Sequence, residues 1–113
     1  MDSNNIGTYV NRGIAESNLG LFIESINDFS KALIINLNDE NATFQLGISE
    51  TKLKWYPEAI FDFSLIIKSH SKRKSISDYL LQQAYFNRGI VQFQMQCYED
   101  AIDDINQAVN SGV

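Results

Sequence analysis

Apolar residues recur along this chain at three- and four-residue steps, and short polar or glycine-bearing breaks interrupt them. Ile6, Val10, Gly13, Ile14 and Ser17 form one such stripe, and Ile23, Ile26, Phe29, Leu33 and Ile34 a second. Both spacings line one face of a helix. Between them Asn18-Leu19-Gly20-Leu21 breaks the pattern, with Gly20 free to take the left-handed conformation that ends a helix. The reading is helix, tight turn, helix. It recurs over about 40–53 and 57–70, with Pro57 in the opening turn, where a missing N–H costs little. A third instance covers about 77–96 and 98–110, and Asp39 and Ser77 are the expected N-caps. The pattern predicts six helices in three antiparallel pairs, turning near Gly20, Lys54 and Gln96.

The three instances are one unit repeated. Tyr9–Leu33, Thr43–Ile67 and Tyr85–Val109 align without a gap. Columns include Gly13/Gly47/Gly89, Phe22/Tyr56/Tyr98, Ile26/Ile60/Ile102, Asp28/Asp62/Asp104 and Phe29/Phe63/Ile105. Such a period marks a solenoid, in which no unit buries its own apolar face and neighbours stack into one core. Glycine in mid-helix costs about 1 kcal/mol in propensity, so close packing is expected to offset it. The small residues Ser25, Ala59 and Ala101 recur in register and are the expected facing partners.

Three features together resemble the tetratricopeptide repeat family: the 34-residue step from Gly13 to Gly47, the glycine and small-residue columns, and the Asp-Phe-Ser-Lys-Ala-Leu run at Asp28–Leu33. The resemblance runs from about Ile6 to Val113. It implies an all-α, right-handed α-solenoid of three antiparallel helix pairs, with units at 6–39, 40–81 and 82–113 behind a tail at 1–5. Departures are Leu37, where the family usually has proline, and Glu16/Glu50/Gln92, where an aromatic is common. The step from Gly47 to Gly89 is 42 residues, and the extra residues fall near 69–78. Part of this insertion is expected to lengthen a helix and the rest to form a polar, basic loop. Its Lys72-Arg73-Lys74 cluster and serines suit a docking, localisation or phosphorylation site, or a solvated connection.

In the family, first helices line a concave groove that holds peptides or partner helices. The resemblance carries this role to Val10, Ile14, Phe44, Ile48, Phe86, Ile90 and Phe93, flanked by Ser17, Asn18, Thr51, Lys52, Gln83 and Gln94. Chaperone-binding members grip an acidic tail with cations in these columns. Here the matching residues are Val10, Ile14, Gln45, Gln83 and Asn87, so a carboxylate would be desolvated without a partner. The implied ligand is an apolar helix or extended peptide. The competing reading is that Phe44, Phe86 and Phe93 pack between neighbouring first helices and leave little groove open.

Composition narrows the function further. A net charge of −5 over 113 residues argues against nucleic acid and anionic membrane surfaces as partners. No apolar run approaches the roughly 20 residues that cross a bilayer. The opening MDSNNIGTYV lacks a basic or apolar signal region, and the single Cys97 permits no internal disulfide. A cytoplasmic location is the expectation. Cys97 and the lone His70 occupy different places in the repeat, and no zinc spacing, phosphate loop or nucleophile elbow is present. Asp103 and Asp104 point about 100° apart on a helix, and Asp28/Asp62/Asp104 reads as a structural column. Neither catalysis, metal nor cofactor is expected. The chain reads as a noncatalytic protein-interaction adaptor or scaffold; the alternative is a structural assembly subunit, or a fragment of a longer array, that associates through its ends. An enzyme's regulatory domain in a longer parent chain also stays open. Ile102, Ile105 and Val109 in the last helix form the expected association edge, covered by a second copy or by neighbouring repeats.

Overall fold

Every break in the apolar pattern becomes a helix end. The computed structural model describes residues 5–111. Among these it contains no strand and six α-helices: α1 (Ile6–Asn18), α2 (Phe22–Ile35), α3 (Glu40–Lys52), α4 (Tyr56–Ser69), α5 (Asp78–Gln94) and α6 (Tyr98–Ser111). Side-chain caps open three of them. Asp39 accepts from the Ala42 amide at 2.8 Å and Ser77 from the Leu80 amide at 3.0 Å, as expected. Asn5, assigned to the tail, accepts from the Thr8 amide at 3.2 Å and caps α1. The rest of that tail, and residues 112–113 of the third unit, lie outside the described residues.

The three helix-to-helix turns at Gly20, Lys54 and Gln96 are wired alike. In each, one residue takes a left-handed backbone: φ is 80° at Gly20, 64° at Lys54 and 66° at Gln96. The amides of Leu21, Trp55 and Cys97 then donate 2.8 Å bonds to the carbonyls of Glu16, Glu50 and Gln92. This is the closure of a Schellman turn, which satisfies carbonyls that a helix end leaves free. Lys54 and Gln96 accept a conformation disfavoured for residues with a Cβ, so the turn is held by these bonds and not by residue type.

Each helix packs chiefly on its neighbour in sequence, with smaller contacts between α1 and α3 and between α3 and α5. The molecule measures 45 × 30 × 20 Å. One core cluster joins Val10, Phe29, Ala32, Ala42 and Leu46; a second joins Ala59, Phe63, Ile66, Ile76, Ala84 and Val91. The glycines do permit close approach, and the nearest group to each is a large side chain of the facing helix. A Cβ on Gly13 would stand 2.6 Å from the Phe29 ring, one on Gly47 2.8 Å from the Phe63 ring, and one on Gly89 2.8 Å from Ile105 Cγ1. Of the expected small residues, Ala101 stands among the nearest groups, its carbonyl oxygen 3.3 Å from a Cβ on Gly89. Ser25 Oγ donates to the Phe22 carbonyl at 2.9 Å and shares a buried 2.9 Å hydrogen bond with Ser49 Oγ on α3.

The insertion is more than a solvated connection. Ile76 is buried in the second cluster, and Arg73 Nη1 donates to the Asn38 carbonyl at 3.0 Å, tying this loop to the one between α2 and α3. α5 starts at Asp78, so the boundary drawn between residues 81 and 82 crosses a helix.

Gly47→Leu should destabilise the protein by about 1–3 kcal/mol through overpacking against Phe63, measured by urea unfolding. Combined with Phe63→Leu it should lose less than the sum of the two single losses, because both changes act on one contact. Additive losses would show that the ring is not the partner.

Candidate functional site

The residues selected for the groove divide by helix. Val10 is buried in the first core cluster, with Ile14 packed against it, and Phe44 and Ile48 pack against the second. Phe44 meets the Phe63 ring edge-on, with centroids 5.7 Å apart. On α5 the stripe opens. Phe86 is 44 % exposed and Phe93 55 %, with the half-buried Ile90 between them. Phe93 also meets Tyr98 edge-on at 5.5 Å. Phe86 further lines a cavity of about 240 Å³ with Gln82, Gln83, Ala108 and Val109. At the expected association edge Ile102 and Val109 are exposed, whereas Ile105 is half-buried beneath Gly89.

A second apolar surface was not selected from the sequence. Phe61 and Leu65 on α4, with Leu37, are exposed and frame a cavity of about 300 Å³ that also touches Asn38, Thr43, Ile66, Ser69 and Arg73. The signal lay in the aligned units. Phe61 stands where the outer units have Asn27 and Asp103, and Leu65 where they have Lys31 and Gln107.

The aspartate column shows the clearest difference between units. In the first, Arg12 on α1 binds Asp28 on α2 in fork fashion, Nε to Oδ2 and Nη2 to Oδ1, both at 2.7 Å. In the third, Arg88 binds Asp104 likewise at 2.6 and 2.8 Å, and its Nη1 donates to Ser64 on α4 at 3.0 Å. Each guanidinium lies over a tyrosine, Arg12 over Tyr9 at 5.9 Å and Arg88 over Tyr85 at 5.7 Å. Two charge-assisted bonds with parallel geometry are the strong form of this interaction. The middle unit has Leu46 and Thr43 at these positions, so Asp62 has no arginine.

Asp62 is left with Glu50. Both are buried, and among the described residues Glu50 Oε1 and Asp62 Oδ2 meet no N–H or hydroxyl donor. Burial, then the neighbouring Asp62 and Glu58, pushes the Glu50 carboxyl up to about 9. Burial raises Asp62 as well. At neutral pH Glu50 therefore carries a proton and donates it to Asp62. In the first unit burial, then Asp28, raises Glu16 to about 7, while the Arg12 bond holds Asp28 low.

Other chemistry is sparse. His70 Nε2 lies 2.9 Å from Asp78 Oδ1, and Cys97 is exposed in the turn before α6. Among the described residues no group of three or more His, Cys, Asp or Glu is placed to hold a metal ion. No helix there is long and apolar enough to cross a membrane. No protein-family model matches the chain, and a comparison with curated proteins finds no match either.

The raised carboxyls fix the sign of a pH effect. The folded chain binds more protons than the unfolded one between the ordinary glutamate value of 4.5 and about 9. The stability is therefore present in full below that window and falls as pH rises through it. Glu50→Gln, which copies Gln92 of the third unit, should flatten this decline and raise stability at pH 8 by about 1–3 kcal/mol. Urea midpoints at pH 5, 7 and 9 measure it. An equal decline in the variant would place the buried proton elsewhere.

Proposed function

We propose that the chain is a tetratricopeptide-repeat-like module, a right-handed solenoid of three antiparallel helix pairs, working in the cytoplasm as a noncatalytic protein-interaction adaptor or scaffold. Identical turn wiring and sequential helix packing support the repeat reading. The exposed Phe86 and Phe93, with the half-buried Ile90 between them, carry the binding reading. A stable helix has no reason of its own to leave two phenylalanines half in water, and exposed apolar patches mark interaction sites. These residues step by four and three along one face of α5, the spacing that accepts the apolar side of a partner helix. Val10, Ile14, Phe44 and Ile48, the other residues assigned to the groove, pack in the two core clusters.

Amphipathic peptides selected on the intact chain should bind at this stripe. Phe86→Ala and Phe93→Ala should each weaken them by about tenfold or more while leaving the helical signal in place, and added salt should change affinity little. Selection of peptides gripped through a C-terminal carboxylate and lost in salt would oppose the reading.

The alternative, association through the ends, is favoured by one observation. Ile102 and Val109 are 59 % and 62 % exposed on α6. Light scattering over a concentration series should then show a dimer, with Val109→Asp returning it to monomer. A wild-type monomer at high concentration removes this reading.

A further inference from the structure

The pocket over Asp62 has the makings of a site that the outer units fill for themselves. It is a cavity of about 390 Å³ lined by Glu50, Pro57, Glu58, Phe61 and Asp62. Asp62 is only 7 % exposed, shares a proton with Glu50, and its Oδ2 has no basic partner among the described residues. Its counterparts Asp28 and Asp104 each have both oxygens occupied by a guanidinium. The residue that could supply one from within the middle unit is Leu46, which lies in the core. We propose that this pocket binds the guanidinium of an arginine presented by a protein partner, completing in the middle unit the pair that Arg12 and Arg88 make in the outer two.

The lining matches that ligand in three respects. Asp62 stands in the column where the chain itself shows fork-fashion pairing, a geometry that arginine satisfies and the point charge of lysine does not, and an arginine there would take the place of the Glu50 proton. Glu58 lies one turn earlier on the same face of α4 and adds an acceptor at the rim. Phe61, 64 % exposed, supplies an aromatic face. In the outer units the arginine lies over Tyr9 or Tyr85; the middle unit has Thr43 there and places its aromatic at the pocket instead. A cation over an aromatic ring is attracted to its face. The lining holds no cation to compete, and the chain's net charge of −5 favours approach of a positive group. The site is separate from the α5 stripe and stands whether or not that stripe binds a partner.

The test is amide-shift NMR on the intact chain, titrated with N-acetyl-arginine methylamide, its citrulline and lysine counterparts, and free arginine. The blocked arginine should give saturable shifts centred on Glu50, Phe61 and Asp62. Citrulline should give none, and lysine should bind about tenfold more weakly. Asp62→Asn should weaken the blocked arginine about tenfold or more. Should that variant not fold, Phe61→Ala, a change at an exposed ring, should weaken it severalfold. Free arginine binding tighter than the blocked form would overturn the assignment to a protein partner. Absence of saturable shifts, equal binding of citrulline or lysine, or binding unchanged in either variant would overturn the site.

Discussion

Two helices can lie closely side by side only where something between them is missing, and here it is a Cβ. Gly13 and Gly47 sit against the rings of Phe29 and Phe63, and Gly89 against Ile105, at distances that would overlap any added carbon. A ring on one helix seated on bare backbone of the other fixes both separation and register. That register brings residue 12 opposite residue 28 and residue 88 opposite residue 104, so that the arginine forks close without stretching.

The same closeness puts the aspartate column where water is scarce, and a buried carboxylate without a partner is unfavourable. The outer units meet this with arginine. The middle unit meets it with a proton, held between Glu50 and Asp62 because no cation is at hand. Sequences usually agree with their fold at every level, and the places where they do not are commonly functional. The middle unit departs at four positions together: Thr43, Leu46, Phe61 and Leu65. It is the unit whose aspartate has no arginine from its own helices, and it leaves Phe61 and Leu65 of α4 exposed.

Helix positions, caps and turns were legible because they depend on neighbours in sequence. Asp39, Ser77, Gly20, Lys54 and Gln96 all act within a few residues of themselves. What required the folded chain was direction across a helix crossing. Ser25 and Phe29 are both in register with Gly13, and only the crossing decides that Phe29 meets the glycine while Ser25 meets Ser49. The stripe on α5 and its counterpart on α3 read alike, yet Phe44 is taken up by Phe63 whereas Phe86 is left open. Ile76 looked like one apolar residue in a polar loop, and a lone apolar residue has no period to betray it. The Arg12–Asp28 and Arg88–Asp104 pairs could have been found from the constant spacing of arginine and aspartate in units one and three.

Ile76 also bears on how the chain gets to this structure. Nearly all packing joins consecutive helices, so most native contacts are close in sequence, a topology that folds fast. The passage from α4 to α5 is the longest connection among the described residues, and it sets Ile76 in one cluster with Ala59, Phe63 and Ile66 of α4 and Ala84 and Val91 of α5. A longer connection lowers the chance of its ends meeting only slowly with length. The longer loop is therefore inexpensive, and burying Ile76 gives it a share in holding α4 and α5 together.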